Sequence, residues 1–396
     1  MNIGFISTWF ERGAAYVTKA YIDALKNENN VFVYARGGEK FAKGDENWDL
    51  PYVTWGLKLS GTKINFKHFK KWIDGNNIEV LFFNEQRETD VLAYIRKEFP
   101  FIKIGGYIDY YKEDSIKEFW LYDFLICNTK RHYSVFKDHP QCYYVPWGTD
   151  CDLFIPETTN NEVVTFFHSV GMSMRKGTDI LLRAFIDGNI YSEAKLVIHS
   201  QLDFEKCFGY KLDELKKYNI KVVEGTVTAP GLYYLGDVYV YPTTLDGLGL
   251  TLYEALSCGL PVITTNNGPM NEVINNDVGF LVDVEKYYSR TDGYYWPLSI
   301  CNKQSLINGM KYYIENKDKL LEFREKARQR ALNEFDWQTR YAQVREIFAD
   351  SQILNNQIDF QKFILQKRKQ RLSEFKGSVM KVLPDRIVTV INLIKS

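Results

Sequence analysis

Short hydrophobic runs alternate along the chain with longer amphipathic stretches. In the first part of the chain the runs that are apolar on both faces are NIGFIST, VFVYAR, VLFFNE, KIGGYI and FLICNT. Strands buried on both faces are typical of parallel sheets covered by helices, so these runs predict the strands of such a sheet. The segment from Ala14 to Leu25 follows the first run and predicts the first helix.

The same alternation starts again after Pro156. The second series of runs is VVTFFHSVG, KLVIHSQ, IKVVEG, DVYVYPT and PVITT. The segment between the two series is rich in Pro, Gly, Thr and Asn, which is typical of a linker. Two series of this kind predict an α/β fold of two doubly wound, Rossmann-like domains that face a cleft. Helical patterns dominate afterwards, from about Ser305 to Asp350.

Length, charge and cysteine usage narrow the class of protein. The 396 residues suit two α/β domains with some additional helix. Lys and Arg number 50, as do Asp and Glu, so we expect no nucleic acid partner. The 6 cysteines form no CxxC pair, which favours a reducing cytoplasm over a disulfide or zinc framework. The first residues read as a strand and not as a signal peptide, and no apolar run reaches the roughly 20 residues of a membrane span.

The stretch DGLGLTLYEALSCGLPVIT carries the most specific chemistry. It follows a predicted strand, and the segment from Leu250 to Cys258 predicts a helix. Glycines in the intervening turn allow a ligand to approach the backbone closely, and free N–H groups at a helix start can hold a diphosphate. Those groups belong to Leu248, Gly249, Leu250 and Thr251. Glu254, one turn into the helix, can accept hydrogen bonds from a ribose diol. The alternative is an ordinary strand–turn–helix joint with a solvated Asp246 and Glu254.

Two further loops follow predicted strands. In HSVGMSMRKGTDI the strand ends at Gly171, and Arg175 and Lys176 precede a helix that begins near Thr178. Two cations at the carboxyl edge of a sheet can neutralise a diphosphate leaving group, although a solvated basic turn is the alternative. In TWFERGAAYVTKAYIDAL a loop containing Gly13 should face the cleft, although it lacks a GxGxxG fingerprint and can be a plain β–α turn.

Other polar residues leave alternatives open. His168 closes a strand near the basic loop and is either a donor contact or a core histidine with satisfied hydrogen bonds. Asp150 and Asp152 spell a DxD, but in a linker, so we expect no metal site. In NTKRHYSVF, which follows a strand, Asn128, Thr129 and Arg131 should face the cleft. The alternative is simple helix capping by the Asn or the Thr.

The order of these pieces resembles the retaining family 4 glycosyltransferases, which have the GT-B fold. The resemblance extends from Asn2 to about Ile347. The Glu-x7-Glu signature of that family is similar to the pair Asp246 and Glu254. Four other segments resemble family motifs: the linker VPWGTDCDLF, the glycine-rich NNGPMNEVINNDVGFLVD, the loop GYYWPLS, and NEFDWQTRYAQV, in which a Trp leads into a helix that crosses back to the first domain.

The resemblance implies transfer of a sugar, with retention of anomeric configuration, from a nucleoside diphosphate to a hydroxyl acceptor. It suggests surface polysaccharide or glycolipid synthesis, without metal or cofactor. The expected catalytic residues are Asp246, Lys176, Arg175 and Asp109. The expected donor-binding residues are Glu254, Leu248, Gly249, Leu250, Thr251, Gly13, Ala14, Gly171 and His168.

Three departures from the family pattern affect these roles. Asp246 stands where the family usually has Glu, so the reach of the carboxylate changes. Met172 follows Gly171 where the family often has Arg, so Arg175 is expected to supply that cation. The segment GGYIDYYKED lacks the usual His, and Asp109 is the nearest polar candidate, with a capping or loop role as the alternative.

We therefore predict an acceptor-side domain over residues 1–155 and a nucleotide-sugar domain over 156–335. A crossing helix over 336–350 and a basic amphipathic tail over 351–396 follow. From Gln357 to Ser396 nine Lys or Arg stand against three Asp or Glu. Such a tail suits contact with the inner face of a membrane, near a glycolipid acceptor. The alternative is a solvated helix that closes an oligomer or packs on the first domain. Two rival functions are a GT-B sugar-nucleotide epimerase and a non-catalytic protein that binds nucleotide sugar or scaffolds a partner.

Overall fold

A computed structural model describes residues 1–38, 41–158, 161–354, 362–367, 369 and 372–373. Most of the predicted tail over 351–396 therefore lies outside the described residues. Among the helices that are described, none is both long enough and apolar enough to cross a membrane.

The first domain is built on a parallel sheet with the strand order β3-β2-β1-β4-β5-β6-β7. Its strands are β1 Asn2–Ser7, β2 Asn30–Ala35, β3 Val53–Trp55, β4 Val80–Asn84, β5 Lys103–Tyr107, β6 Phe124–Cys127 and β7 Cys142–Tyr144. Its helices are α1 Gly13–Leu25, α2 Phe66–Gly75, α3 Asp90–Glu98 and α4 Lys130–Phe136, with a 3-10 helix at Glu113–Leu121. Every residue of β4 is buried, as expected of a central strand covered on both faces.

The second domain has a parallel sheet with the order β10-β9-β8-β11-β12-β13. Its strands are β8 Thr165–Gly171, β9 Lys195–Ser200, β10 Ile220–Glu224, β11 Val238–Tyr241, β12 Val262–Thr265 and β13 Gly279–Val282. Its helices are α5 Thr178–Asp187, α6 Phe204–Phe208, α7 Leu212–Leu215, α8 Leu250–Ser257, α9 Met270–Val273, α10 Lys303–Glu315 and α11 Leu320–Glu334. Short 3-10 helices lie at Met174–Lys176, Ile190–Ser192, Lys216–Tyr218, Tyr233–Leu235 and Lys317–Lys319.

An antiparallel hairpin extends from the second domain toward the first. Its strands are β14 Val284–Tyr288 and β15 Leu298–Cys301. The connection between them pairs with the first domain through an antiparallel bridge between Tyr294 and Lys112. The backbone N–H of Tyr295 also donates to the carbonyl of Tyr111 at 3.0 Å. The hairpin therefore spans the cleft on one side.

The chain returns to the first domain after α11, as the resemblance implied. A 3-10 helix at Trp337–Arg340 leads into α12, Tyr341–Asp350, which packs against α1. The indole of Trp337 lies 4.4 Å from the ring of Trp147 and 5.5 Å from that of Tyr21, measured between centroids. Its Nε1 donates to the carbonyl of Ala20 at 2.9 Å. A hydrophobic cluster consequently continues from one domain into the other beside the linker.

The structure confirms the strands predicted from the runs that are apolar on both faces, and it confirms the two-domain α/β fold. The prediction missed β3, β7 and β13, which have three or four residues and are mostly half-buried. It also missed the hairpin, because most residues of β14 are exposed and carry no burial pattern. The exact domain boundaries stay predictions.

Candidate functional site

A cavity of about 450 Å³ lies between the two domains. From the first domain it is lined by the start of α1, including Gly13, and by the linker. From the second domain it is lined by the carboxyl end of β8 at Gly171 and by the first turn of α8, at Leu250 and Thr251. Glu254 completes this wall. The structure thus brings five of the predicted donor-binding residues to the same cavity.

Glycine is required at two places in the loop before α8. Gly249 caps the helix with a φ of 77°, a left-handed conformation that glycine adopts without strain. Gly247 is packed against the first domain: a Cβ atom added there would lie 1.7 Å from Oδ1 of Asp109. Any side chain at position 247 would collide with Asp109, so the two domains meet closely at this point.

Asp246 lies at the centre of a compact polar cluster. Its Oδ2 accepts hydrogen bonds from the ammonium of Lys176 and the hydroxyl of Tyr241, and these two donors also contact each other. Its Oδ1 accepts from the N–H groups of Leu248 at 3.4 Å and Gly249 at 3.2 Å. Burial works to raise the pKa of Asp246, but the charge of Lys176 and these hydrogen bonds hold it below its usual range. The carboxylate is therefore firmly ionised.

Glu254 has a different environment. Its Oε2 accepts a hydrogen bond of 2.5 Å from the hydroxyl of Tyr233. Burial raises the pKa of Glu254, although the Tyr233 hydrogen bond and the charge of Lys176 work in the opposite direction. Its carboxylate faces the cavity and is available to a bound diol.

Asp109 follows β5 at the carboxyl edge of the first sheet and faces the loop of the second domain. Burial raises its pKa well above the usual range, and the carboxylates of Glu85 and Asp246 raise it further, whereas the charge of Arg131 lowers it. Nε2 of His132 lies 3.9 Å from Oδ1 of Asp109. The structure therefore places Asp109 beside Asp246, across the junction of the two domains.

Two neighbouring side chains of α4 reach the same loop from the first domain. Arg131 donates from a terminal NH2 group to the carbonyl of Asp246 at 3.1 Å. Nε2 of His132 lies 3.2 Å from the carbonyl of Gly247, and a carbonyl only accepts, so this nitrogen carries the proton. Nδ1 therefore accepts from the hydroxyl of Tyr111 at 3.0 Å.

His132 is neutral at physiological pH. Burial and the charge of Arg131 lower its pKa to about 3. The sequence predicts that Arg131 faces the cleft, but it predicts no role for His132. The preceding Thr129 caps α4, its hydroxyl accepting from the N–H of His132 at 3.1 Å, as the alternative interpretation proposed.

Several predicted residues are not brought to the cavity wall. His168 is fully buried, with Nδ1 2.8 Å from the carbonyl of Val240 and Nε2 2.9 Å from the hydroxyl of Thr178, so both ring nitrogens are occupied within the domain. Ala14 is buried in α1, and its carbonyl accepts from the side chain of Asn84 at 2.7 Å. The Leu248 and Gly249 amides bind Asp246, as described above. Arg175 is exposed, and its carbonyl accepts from the N–H of Thr244 at 2.9 Å.

The DxD of the linker is occupied by local hydrogen bonds. Oδ1 of Asp150 accepts from the N–H groups of Asp152 and Leu153, each at 3.0 Å. Asp152 accepts from the side chain of Gln338 at 2.9 Å. Within the described part of the chain, no group of three or more His, Cys, Asp or Glu side chains is arranged to hold a metal ion.

Comparisons with known proteins find similarity to glycosyltransferases, including a family match in the second domain. Residues 154–330 match the family described as glycosyl transferases group 1. The chain is 41% identical over 54 residues to the O-antigen chain mannosyltransferase B of Escherichia coli, a match that covers 14% of each chain. It is 28% identical over 102 residues to the UDP-Gal:alpha-D-GlcNAc-diphosphoundecaprenol alpha-1,3-galactosyltransferase of the same organism, covering 25% of this chain and 26% of that protein. These matches thus span a quarter or less of this chain and about a quarter or less of the relatives.

Solved structures resemble the whole two-domain body. A glycosyltransferase from Rickettsia africae matches with a TM-score of 0.67 and 16% identity, covering 88% of this chain and 99% of that one. HepE from Anabaena, solved in complex with UDP, matches with a TM-score of 0.66, 16% identity and the same coverage. The chain therefore has the GT-B fold, and its residues 154–330 match the model of the group 1 glycosyl transferases.

Proposed function

We propose that the protein is a retaining glycosyltransferase that moves a sugar from a nucleoside diphosphate to a hydroxyl of a glycan or glycolipid. The observation that carries this proposal is the cluster of Asp246, Lys176 and Tyr241. It stands beside the start of α8, and that helix lines the cavity with Leu250, Thr251 and Glu254. A cation and the positive end of a helix together favour a diphosphate at this position.

Each part of the donor has a suitable partner in this arrangement. The carboxylate of Glu254 binds the ribose hydroxyls, and the ammonium of Lys176, assisted by Arg175, neutralises charge on the leaving diphosphate. Asp246 accepts hydrogen bonds from hydroxyls of the donor sugar. Asp109, which touches Gly247 from the opposite domain, lies where the acceptor must approach. No metal and no cofactor enter this scheme.

The relatives narrow the chemistry that should be tested first. HepE from Anabaena was solved in complex with UDP, and one relative is named as a UDP-galactose-dependent transferase. Another relative extends an O-antigen chain. We therefore place the protein in surface polysaccharide or glycolipid assembly and expect UDP sugars to be the first donors to test. Such an enzyme would act in the cytoplasm on acceptors at the inner face of the membrane.

A screen of nucleotide sugars by thermal unfolding tests the donor, because a ligand that binds the native state raises the apparent stability. The stabilising donor is then incubated with acceptor glycans, and the anomeric configuration of the product is determined by NMR. Retention is the expected outcome. Inversion would refute the retaining mechanism, epimerised donor in the absence of acceptor would identify an epimerase, and binding without turnover would identify a non-catalytic protein.

Substitution of Glu254 tests the assigned site itself. Hydrogen bonds to a charged group contribute about 1.5–3 kcal/mol, so Glu254→Ala should weaken UDP binding by about 10- to 100-fold in calorimetry. Glu193→Ala, an exposed carboxylate of the same domain, is the matched control and should bind UDP normally. Unchanged UDP affinity in Glu254→Ala would show that the ribose lies elsewhere.

A further inference from the structure

The Asp246–Gly247 segment is held from both sides of the cleft. On the second-domain side the carboxylate of Asp246 binds Lys176 and Tyr241. On the first-domain side two consecutive side chains of α4, Arg131 and His132, bind the carbonyls of two consecutive loop residues at 3.1 and 3.2 Å. The orientation of both peptide groups is therefore set by the opposite domain.

The two α4 side chains are themselves tightly constrained. The guanidinium of Arg131 also donates to the carbonyl of Gly268 and to the hydroxyl of Tyr294, the latter at 3.4 Å. The ring of Trp296 lies 5.1 Å from its central carbon. Arg131 is only 8% exposed, and burying a guanidinium costs free energy unless its N–H groups form hydrogen bonds that replace those with water. Those hydrogen bonds go to groups of the second domain and its hairpin.

His132 forms part of a short chain of hydrogen bonds from the hairpin to the loop. Nε1 of Trp296 donates to the hydroxyl of Tyr111 at 2.6 Å, and that hydroxyl donates to Nδ1 of His132. Nε2 of His132 then donates to the carbonyl of Gly247. Because the histidine is neutral and each partner has a fixed donor or acceptor role, the ring has one permitted tautomer and orientation.

A second contact fixes α4 relative to the same domain. The carboxylate of Glu272, in α9, accepts from the backbone N–H groups of Lys130 at 2.6 Å and Arg131 at 2.9 Å. The beginning of α4 is thus attached to the second domain independently of the side chains above. The position of Arg131 and His132 relative to the loop is consequently well determined.

We propose that Arg131 and His132 are positioning residues that orient the Asp246 carboxylate toward the donor sugar by holding the carbonyls of Asp246 and Gly247 across the cleft. This inference rests on the proposed function, because it assigns to Asp246 the sugar hydroxyls of the donor. The loop then acquires its sugar-recognising shape only when the first domain is in place. The UDP portion, bound by Glu254 on the cavity side, does not depend on these contacts.

Hydrogen exchange tests the structural half of the inference without requiring activity. The N–H groups of Leu248 and Gly249 donate to Asp246 and should be protected. In the full-length protein with His132→Leu or Arg131→Met, the exchange of these N–H groups should accelerate at least about tenfold. The reason is that each substitution removes a hydrogen bond that holds a carbonyl of the loop in place. His132→Gln retains an N–H for Gly247 and should restore protection, and the exposed Arg183→Met should have no effect. Unchanged protection of these two N–H groups in both His132→Leu and Arg131→Met would overturn the proposal.

Kinetics test the functional half. Misplacement of a substrate-orienting group by about 1 Å can cost roughly 100-fold in rate, so kcat/KM with UDP-glucose or UDP-galactose should fall about 10- to 100-fold in His132→Leu. The Kd of UDP alone should change less than about threefold, and His132→Gln should recover most of the rate. Parallel losses of UDP affinity, rate and thermal stability would show a purely structural role and would overturn the proposal.

A second variant and the exchange experiment cover the cases in which His132→Leu is unfolded or the wild-type protein is inactive. If His132→Leu does not fold, Arg131→Lys provides the same comparison, because one ammonium replaces a guanidinium that binds several separated acceptors. If the wild-type protein transfers no sugar, the proposed function fails while the exchange experiment still decides whether the first domain holds the loop.

Discussion

At the scale of single residues, the two acids eight positions apart differ in their electrostatics. The pKa of Asp246 is held below its usual range by Lys176, whereas burial raises the pKa of Glu254. Acidification therefore protonates Glu254 first, at a pH above the ordinary range for glutamate, while Asp246 remains ionised. The two carboxylates can be distinguished by titration.

This difference predicts a pH dependence of donor binding. The ionised Glu254 accepts hydrogen bonds from ribose, so the affinity for UDP should fall as the pH is lowered through its raised pKa. Calorimetry between about pH 8 and pH 4.5 measures this loss. Glu254→Gln should bind more weakly and should lack that part of the pH dependence. Identical pH slopes in the two proteins would contradict the assignment.

Sequence reasoning located residues whose role depends on their position in a strand–loop–helix unit. Gly13 begins α1, Gly171 ends β8 and Glu254 lies one turn into α8, and all three line the cavity. A sequence does not show which way a side chain points, so it left His168 open between a donor contact and a core histidine. Both ring nitrogens bond within its own domain, as the core alternative predicts. Sequence reasoning also missed His132, whose partner is a carbonyl 115 positions away in the chain.

At the scale of elements, the sequence predicts the longer, buried strands and misses the short or exposed ones. The central strands are apolar on both faces, so each can be recognised in the sequence as a continuous apolar run, whichever strands lie beside it. Short edge strands such as β3 and β7 are mostly half-buried, and β14 is mostly exposed. Their existence depends on the strand beside them, which a local pattern does not encode. The hairpin that spans the cleft could therefore only be found in the structure.

The crossing segment at Trp337 makes a testable contribution to stability. Its indole packs against Trp147 and Tyr21 and donates to the carbonyl of Ala20. Replacing a buried Trp by Ala typically costs about 3–5 kcal/mol, so Trp337→Ala should lower the temperature of thermal unfolding by several degrees. Trp337→Phe retains most of the packing and loses mainly the N–H, which contributes about 1 kcal/mol.

The control for this comparison is Leu321→Ala, since Leu321 is 79% exposed on α11. It should leave the unfolding temperature nearly unchanged. Equal effects of Trp337→Ala and Leu321→Ala would indicate that the crossing segment contributes little to joining the domains.

At the scale of the whole molecule, the domains are joined along two sides of the cleft. One side is the continuous hydrophobic cluster that includes Trp147, Phe154 and Trp337. The other, the polar edge, includes the hydrogen bonds made by Arg131, His132 and the Glu272 carboxylate beside the hairpin. The domains are thus held together by apolar packing on one side and by hydrogen bonds and aromatic contacts on the other.

The polar edge also brings together the charges that the proposed reaction needs. The ammonium of Lys176 lies on the carboxylate of Asp246, beside the first turn of α8. A diphosphate entering there meets a cation and helix N–H groups that the protein itself supplies, and we expect these to replace a divalent ion. Transfer activity should therefore stay within about twofold when EDTA is added.

The decisive comparison uses Lys176→Met with and without Mg²⁺. If Lys176 neutralises the leaving group, its loss should reduce kcat by about 100-fold or more, since removing one such electrostatic contact typically costs that much. Lys195→Met is the control, because Lys195 is exposed at the start of β9, away from the loop. Wild-type activity that disappears in EDTA and returns with Mg²⁺ or Mn²⁺ would show that a metal ion supplies the charge that we assign to Lys176.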